Sequence, residues 1–187
     1  AQYARMDIDF RYYFAMRKEH TLVYRNLLGI GIPYGNSSVL PFEKGFYAGG
    51  SNDMRGWNYR SLGPGSFEDA FEDNFEKMGD IILEANLEYR FPVYKWFRGA
   101  VFTDIGNIWL LEPTTNFPGG EFEFNDFYRE LAVDAGIGLR LDLTFFIFRI
   151  DAATPIRDPA YPAGSRWQFR NLGFRNVIWN FGIGYPF

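Results

Sequence analysis

Residues 80–91 read Asp-Ile-Ile-Leu-Glu-Ala-Asn-Leu-Glu-Tyr-Arg-Phe. In an extended chain one face carries Asp80, Ile82, Glu84, Asn86, Glu88 and Arg90, while the other carries Ile81, Leu83, Ala85, Leu87, Tyr89 and Phe91. Successive side chains of a strand point to opposite sides, so a period of two sustained over this length reads as a strand and not a helix. The pattern recurs on both sides of this segment. In residues 133–143, Asp134, Gly136, Gly138, Arg140 and Asp142 lie opposite Val133, Ala135, Ile137, Leu139, Leu141 and Leu143. In residues 4–12, Arg5, Asp7, Asp9 and Arg11 lie opposite Ala4, Met6, Ile8, Phe10 and Tyr12.

Seven such segments fall at about 3–16, 20–32, 80–91, 98–110, 130–143, 145–154 and 176–187. The second, fourth and sixth alternate less cleanly and are placed partly by spacing. Connections alternate between short turns near 17–20, 92–97 and 143–145 and long loops over 33–79, 111–129 and 155–175. Short periplasmic turns and long outer loops are the layout of bacterial outer-membrane barrels, and this rhythm would set the C-terminus on the periplasmic side.

Composition narrows the class. Aromatics make up 20 % of the 187 residues, with 21 Phe and 12 Tyr. The mean hydropathy is nevertheless −0.23, so apolar residues must be interleaved with polar ones. A membrane helix needs about 20 consecutive apolar residues, and no run approaches that; a membrane strand needs only about 9–11, alternately apolar. A soluble sandwich also alternates. Here, however, the polar face carries several charges per strand, and the apolar face ends in Tyr89, Phe91, Tyr94, Trp96, Trp109, Trp179, Tyr185 and Phe187. That matches a lipid-facing band with aromatic girdles. The expected fold is therefore all-β: part of a transmembrane antiparallel β-barrel in the bacterial outer membrane, with the lipid bilayer as its first partner.

The chain has no Cys, which fits a periplasmic route. A net charge of −4 without a basic stripe argues against a nucleic-acid partner. Bacterial single-chain barrels have even strand numbers, and an open edge in lipid leaves backbone groups unsatisfied. Further strands are thus expected upstream of Ala1, where the chain opens inside a strand-like run with no signal peptide.

The long loop holds Gly45-Phe46-Tyr47-Ala48-Gly49-Gly50, then Met54-Arg55-Gly56-Trp57, then Leu62-Gly63-Pro64. Two strand motifs follow: Asn86-Leu87-Glu88-Tyr89-Arg90-Phe91-Pro92 and Val101-Phe102-Thr103-Asp104-Ile105-Gly106-Asn107-Ile108-Trp109. The ordered set resembles the BamA/TamA superfamily of outer-membrane assembly and translocation proteins, across essentially the whole chain. The resemblance implies the last seven strands of a barrel of about sixteen. It also implies that the loop folds back into the lumen, where Arg55, beside Gly56, is held by Glu88, Phe102 and Asp104. Parity agrees independently, since Glu88 lies on the polar face of its segment, and Phe102 and Asp104 share a face of theirs. Two carboxylates and a ring suit one guanidinium through charge-assisted hydrogen bonds and a cation–π contact. Gly49, Gly50 and Gly63 are assigned backbone roles, in sharp turns and close approach to the barrel wall.

The last residues, Asn180-Phe181-Gly182-Ile183-Gly184-Tyr185-Pro186-Phe187, resemble the β-signal by which outer-membrane barrels are recognised, with Asn180, Gly182, Tyr185 and Phe187 at its key positions. An apolar face of Phe181, Ile183, Tyr185 and Phe187 is expected there, on a strand with a free edge. Pro186 lacks an N–H, and Gly182 and Gly184 have no side chain to pack, so pairing should be weak.

Other features carry no chemistry. Glu68, Asp69, Glu72, Asp73, Glu76 and Asp80 lack the spacing of a calcium loop and read as a solvated outer loop. His20 is the only histidine, so a His-based triad or zinc site has no material. Arg149 is expected to pair with Asp151, and Arg140 with Asp142. No catalytic residue, metal or cofactor is anticipated. The resemblance implies an insertase or assembly factor, with similarity in residues 40–44 and 182–187 to a Bacteroidetes TamA-like branch. Its partners would be upstream barrel strands, periplasmic domains, nascent outer-membrane clients, and accessory lipoproteins or periplasmic proteins. A two-partner-type secretion pore is the first alternative. The second is a membrane-anchor barrel for an upstream enzyme such as a patatin-like lipase.

Overall fold

The structure is a computed structural model and describes residues 2–68, 76–143, 145–171, 173 and 176–187. Seven strands form one antiparallel sheet in sequence order: β1 (Tyr3–Ala15), β2 (Thr21–Pro33), β3 (Ile81–Tyr94), β4 (Phe97–Trp109), β5 (Ala132–Leu143), β6 (Phe146–Arg157) and β7 (Ile178–Ile183). Strands of 12 to 14 residues recur from β1 to β6. At about 3.3 Å per residue and a tilt near 45°, such strands span roughly 30 Å, the thickness of a hydrocarbon core. Regular pairing runs the full length of β1 against β2, from Tyr3↔Pro33 to Ala15↔Thr21.

Strands β3 to β6 show chemical inversion relative to a water-soluble sheet. The polar face is buried: Glu84, Asn86 and Glu88 in β3, Asp104 in β4, Asp134 and Arg140 in β5, and Arg149 and Asp151 in β6. The apolar face is open: Leu28, Leu87, Val101, Ile137, Leu139, Phe148 and Ile150 are all exposed, Ile137 to 65 %. Exposed apolar rows on successive strands make one continuous apolar surface, of the kind that lipid solvates.

The polar face is buried because the β2–β3 connection lies across it. Phe46 pairs with Gly79 and Ala48 with Leu62 as isolated bridges. Phe46, Ala48, Met54, Trp57 and Leu62 form an apolar cluster with Ile82 of β3, Ile108 of β4 and Ala132 of β5. Burying Phe46, Met54, Trp57 and Leu62 contributes on the order of 1.5–3 kcal/mol each, enough to hold the loop on the sheet.

Several boundaries differ from the sequence reading. β3 continues through Pro92 to Tyr94, across a register irregularity that accommodates the missing N–H, so the turn is tighter than 92–97. β6 extends through Pro155 to Arg157 in the same way, opposite a shift between Val133 and Asp134. The seventh strand stops at Ile183, six residues long, where the sequence reading carried it to 187. Tyr185 and Phe187 therefore lie off the outer apolar face. Trp109 is also no lipid-facing girdle residue: it is buried beneath Phe122 and Phe127, with Nε1 donating to Glu130 at 2.7 Å.

Candidate functional site

The loop tip brings Met54-Arg55-Gly56-Trp57 against β3, β4 and β5. Gly49 and Gly50 take φ of +107° and +127°, and a side chain on Gly49 would overlap the Asn58 carbonyl, so the turn into the tip requires glycine. Gly63, with φ +81°, closes the turn out of it. Gly56 sits so close to the Asp134 side chain that a Cβ would collide with it, and its N–H donates to Asp134 Oδ2 at 2.7 Å.

Arg55 is fully buried. Its Nε and Nη2 donate to Asp104 Oδ2 and Oδ1 at 2.8 and 3.0 Å, a two-pronged pair. Its Nη1 donates to Glu88 Oε2 at 2.5 Å, and its Cζ lies 3.3 Å from the Phe102 ring centroid. Burial alone would favour the neutral guanidine, but Asp104 and Glu88 more than offset it and raise its pKa above the ordinary arginine value. Of the sequence-derived set, Glu88, Phe102 and Asp104 thus all contact Arg55, while Gly56 bonds Asp134 instead. The arginine is a fixed charge and both oxygens of each carboxylate accept from arginines or Asn86, an arrangement suited to holding a loop.

Other residues complete the cluster, and sequence reasoning did not assign them to it. Asp134 is one; its face in β5, paired in register with Asp104, was the available signal. Arg140 is fully buried and donates to Glu88 Oε2 at 3.1 Å and to Asp151 Oδ1 at 2.5 Å. Its expected partner Asp142 pairs instead with Arg98 at 3.2 Å, because Arg140 reaches inward over Gly138 while Asp142 lies at the strand's end. The expected pair of Arg149 with Asp151 is present at 3.4 Å, and Arg149 also donates to Asn52 Oδ1 of the loop at 2.9 Å. Asn86 donates to Asp104 Oδ1 at 3.0 Å and to the Asp53 carbonyl at 2.8 Å. Beside the arginine, burial pushes the Asp53 carboxyl up to about 6, against the donated Met54 N–H.

Asn180 of β7 donates to the Arg55 carbonyl at 2.9 Å, so the last strand touches the loop tip directly. Gly182 lies against the Arg149 guanidinium, which a side chain there would displace. Tyr185 and Phe187 fold inward: the Arg90 guanidinium is 4.0 Å from the Tyr185 ring, and Phe187 is buried. His20 meets Tyr89, with Nδ1 2.6 Å from the hydroxyl. Asp69, Glu72 and Asp73 of the acidic run lie outside the described residues. Among the described residues no group of His, Asp and Glu is arranged to hold a metal.

Comparison with known proteins adds three findings. The Omp85 superfamily domain profile matches residues 1–187. Outer membrane protein assembly factor BamA of Neisseria meningitidis serogroup B is 28 % identical over 103 residues, which cover 52 % of this chain and 13 % of that protein. The crystal structure of BamA from Haemophilus ducreyi lacking POTRA domains 1–3 superposes with a TM-score of 0.64 at 23 % identity, covering 87 % of this chain and 33 % of that one. The chain thus spans a third or less of the length of these relatives, and the structural likeness shows the BamA barrel fold for the seven strands.

Proposed function

The chain belongs to the Omp85 superfamily, and on that premise we propose that it forms the C-terminal wall of an outer-membrane protein assembly factor, an insertase that works without covalent chemistry. The observation that carries this reading is the loop arginine. Arg55 is fixed by carboxylates on two different strands, and its own carbonyl receives Asn180 of the last strand. One loop thereby braces the wall from β3 to β7 from the inside. Asp134 on β5 and Asn52 beside Arg149 extend the same brace.

In this reading the outer apolar face meets the lipid bilayer, the short turns and the C-terminal residues face the periplasm, and upstream strands with periplasmic domains complete the barrel. β7 pairs with β6 over only Ile178–Ile183. A short last strand leaves a weak seam whose free edge can template a strand of a nascent outer-membrane client by main-chain hydrogen bonding. Accessory lipoproteins or periplasmic partners would act on the parts of the protein beyond this chain.

The test uses the complete polypeptide in liposomes and follows the folding rate of an outer-membrane client released from urea. Wild type accelerates folding over empty vesicles, and Arg55→Ala removes most of that acceleration while its barrel stays heat-modifiable. Equal rates with wild type and with empty vesicles would reject the assembly reading and leave a secretion pore or an enzyme anchor.

A further inference from the structure

The residues that follow β7 could have continued it. Pairing between β6 and β7 runs Ile150↔Phe181, Arg149↔Gly182 and Phe148↔Ile183. One more step in register sets Gly184 opposite Ile147 and Tyr185 opposite Phe146. The Gly184 N–H does donate to the Ile147 carbonyl at 2.8 Å, as the last bond of the ladder. The chain then leaves the sheet at Gly184, whose φ is +87°. Phe181 and Ile183 stand on the outer face, Ile183 75 % exposed, whereas Phe187 is 5 % exposed on the inner side. Strand parity alone would send Tyr185 and Phe187 outward with Phe181 and Ile183.

What waits on the inner side is Arg90 of β3. Its guanidinium carbon is 4.0 Å from the Tyr185 ring centroid and 6.0 Å from that of Phe187, and Nη2 donates to the Phe187 carbonyl at 3.2 Å. Its Nε donates to Glu88 Oε1 at 2.6 Å, and the other oxygen of that carboxylate receives Arg55. Arg55 itself lies 5.5 Å from the Phe187 ring. The tail and the loop tip therefore share one carboxylate and one ring.

We propose that Arg90 is a positioning residue for the last strand: it seats residues 185–187 inside the sheet and so ends β7 at Ile183, and Glu88 couples that seat to the loop arginine. With the seat filled, the Phe146 end of β6 lacks its strand partner beyond Ile147. With it empty, residues 184–187 are free to run on along β6, and the seam lengthens. The inference deepens the reading above, by naming what sets the length of the seam, but the tail's position can be measured without any client.

The measurement places 4-trifluoromethyl-phenylalanine at Phe187 in the complete polypeptide, in nanodiscs containing spin-labelled phospholipid, and reads fluorine relaxation by NMR. Lipid-induced broadening is weak in the otherwise native protein. It rises at least ~3-fold in Arg90→Ala, as loss of a cation–π contact and a charge-assisted hydrogen bond allows. Arg90→Lys, which keeps the charge without the planar fork, falls between. Tyr185→Ser raises it as well while leaving Glu88 its partners, and serves should Arg90→Ala fail to fold. Arg55→Ala gives a smaller rise through Glu88. Broadening unchanged in folded Arg90→Ala, or in Tyr185→Ser, overturns the seat, and a rise in Arg90→Ala with none in Arg55→Ala overturns the coupling. Client folding can fail in every one of these proteins without altering the reading of the tail.

Discussion

The wall at β3–β4 and the wall at β6–β7 are built from the same alternation and end up as opposites. β3 and β4 stay paired from Ile81↔Trp109 to Tyr94↔Phe97, and their inner face carries Glu88 and Asp104, both fully buried and both bonded to Arg55. β7 pairs over six residues, contributes Asn180 as its one buried inner side chain before the chain leaves the sheet, and places Gly182 where a side chain would strike Arg149. The contrast shows where an outer-membrane wall stores its specificity. Lipid rewards apolar area equally on every strand, so the outer faces are alike; only inner-face hydrogen bonds and strand length separate the fully paired wall from the briefly paired one.

The sharpest way to break that comparison is Glu88→Gln. One carboxylate receives Arg55, Arg90 and Arg140. A neutral amide leaves three buried guanidinium groups undercompensated, and removing one partner of a buried ion pair costs roughly 3–5 kcal/mol. Urea unfolding of the complete polypeptide in lipid vesicles should show a loss of this size. A loss below about 1 kcal/mol, the worth of a surface pair, would mean that the inner cluster is ornamental and that the two walls do not differ in the way described.

Next in size is the outer face. Leu87→Arg in β3 and Leu139→Arg in β5 each put a charge where lipid solvates the strand, at ~2–4 kcal/mol near the midplane. Heat-modifiable folded protein should fall in both variants. Its survival at wild-type level in both would reverse the assignment of the two faces.

The faces themselves were legible in the sequence, because a period of two fixes parity once one residue of a strand is placed. The contact of Arg55 with Glu88, Phe102 and Asp104 was legible only with the family resemblance added to parity. What parity cannot state is what covers a face. Ile82 and Ile108 stand at polar-face positions and pack the loop's Phe46, Met54 and Leu62, a relation set by a fold-back across the sheet. Arg140 has an acid two residues away on its own strand and another across the sheet; the inner-face geometry selects Asp151, and sequence spacing pointed to Asp142. The tail is the clearest case. Alternation through residues 181–187 is regular, yet Arg90, distant in sequence, draws the last residues to the opposite side. Trp109 misled for the same reason: its covering rings, Phe122 and Phe127, come from the next loop.

The smallest expected effect concerns the loop tip's own carboxyl and sharpens the picture of how the fixed wall is balanced. Burial pushes Asp53 up to about 6, from an ordinary value of 3.8. The seated loop therefore holds the Asp53 proton more tightly than the free chain does. Its contribution to seating is fully present below about pH 4 and is lost as pH rises through about 6, where the seated carboxyl must ionise beside Asp104. Asp53→Asn removes that ionisation and keeps a side-chain oxygen to accept the Met54 N–H. Melting of the variant should exceed that of wild type by a few degrees at about pH 7.5 and coincide with it near pH 4. Every other ionisable group is common to the two proteins, so the difference between variant and wild type isolates Asp53. A variant that melts below wild type at about pH 7.5, with the gap closing toward acid, would show instead that Asp53 stabilises the seated loop as an anion, on the same side as Glu88.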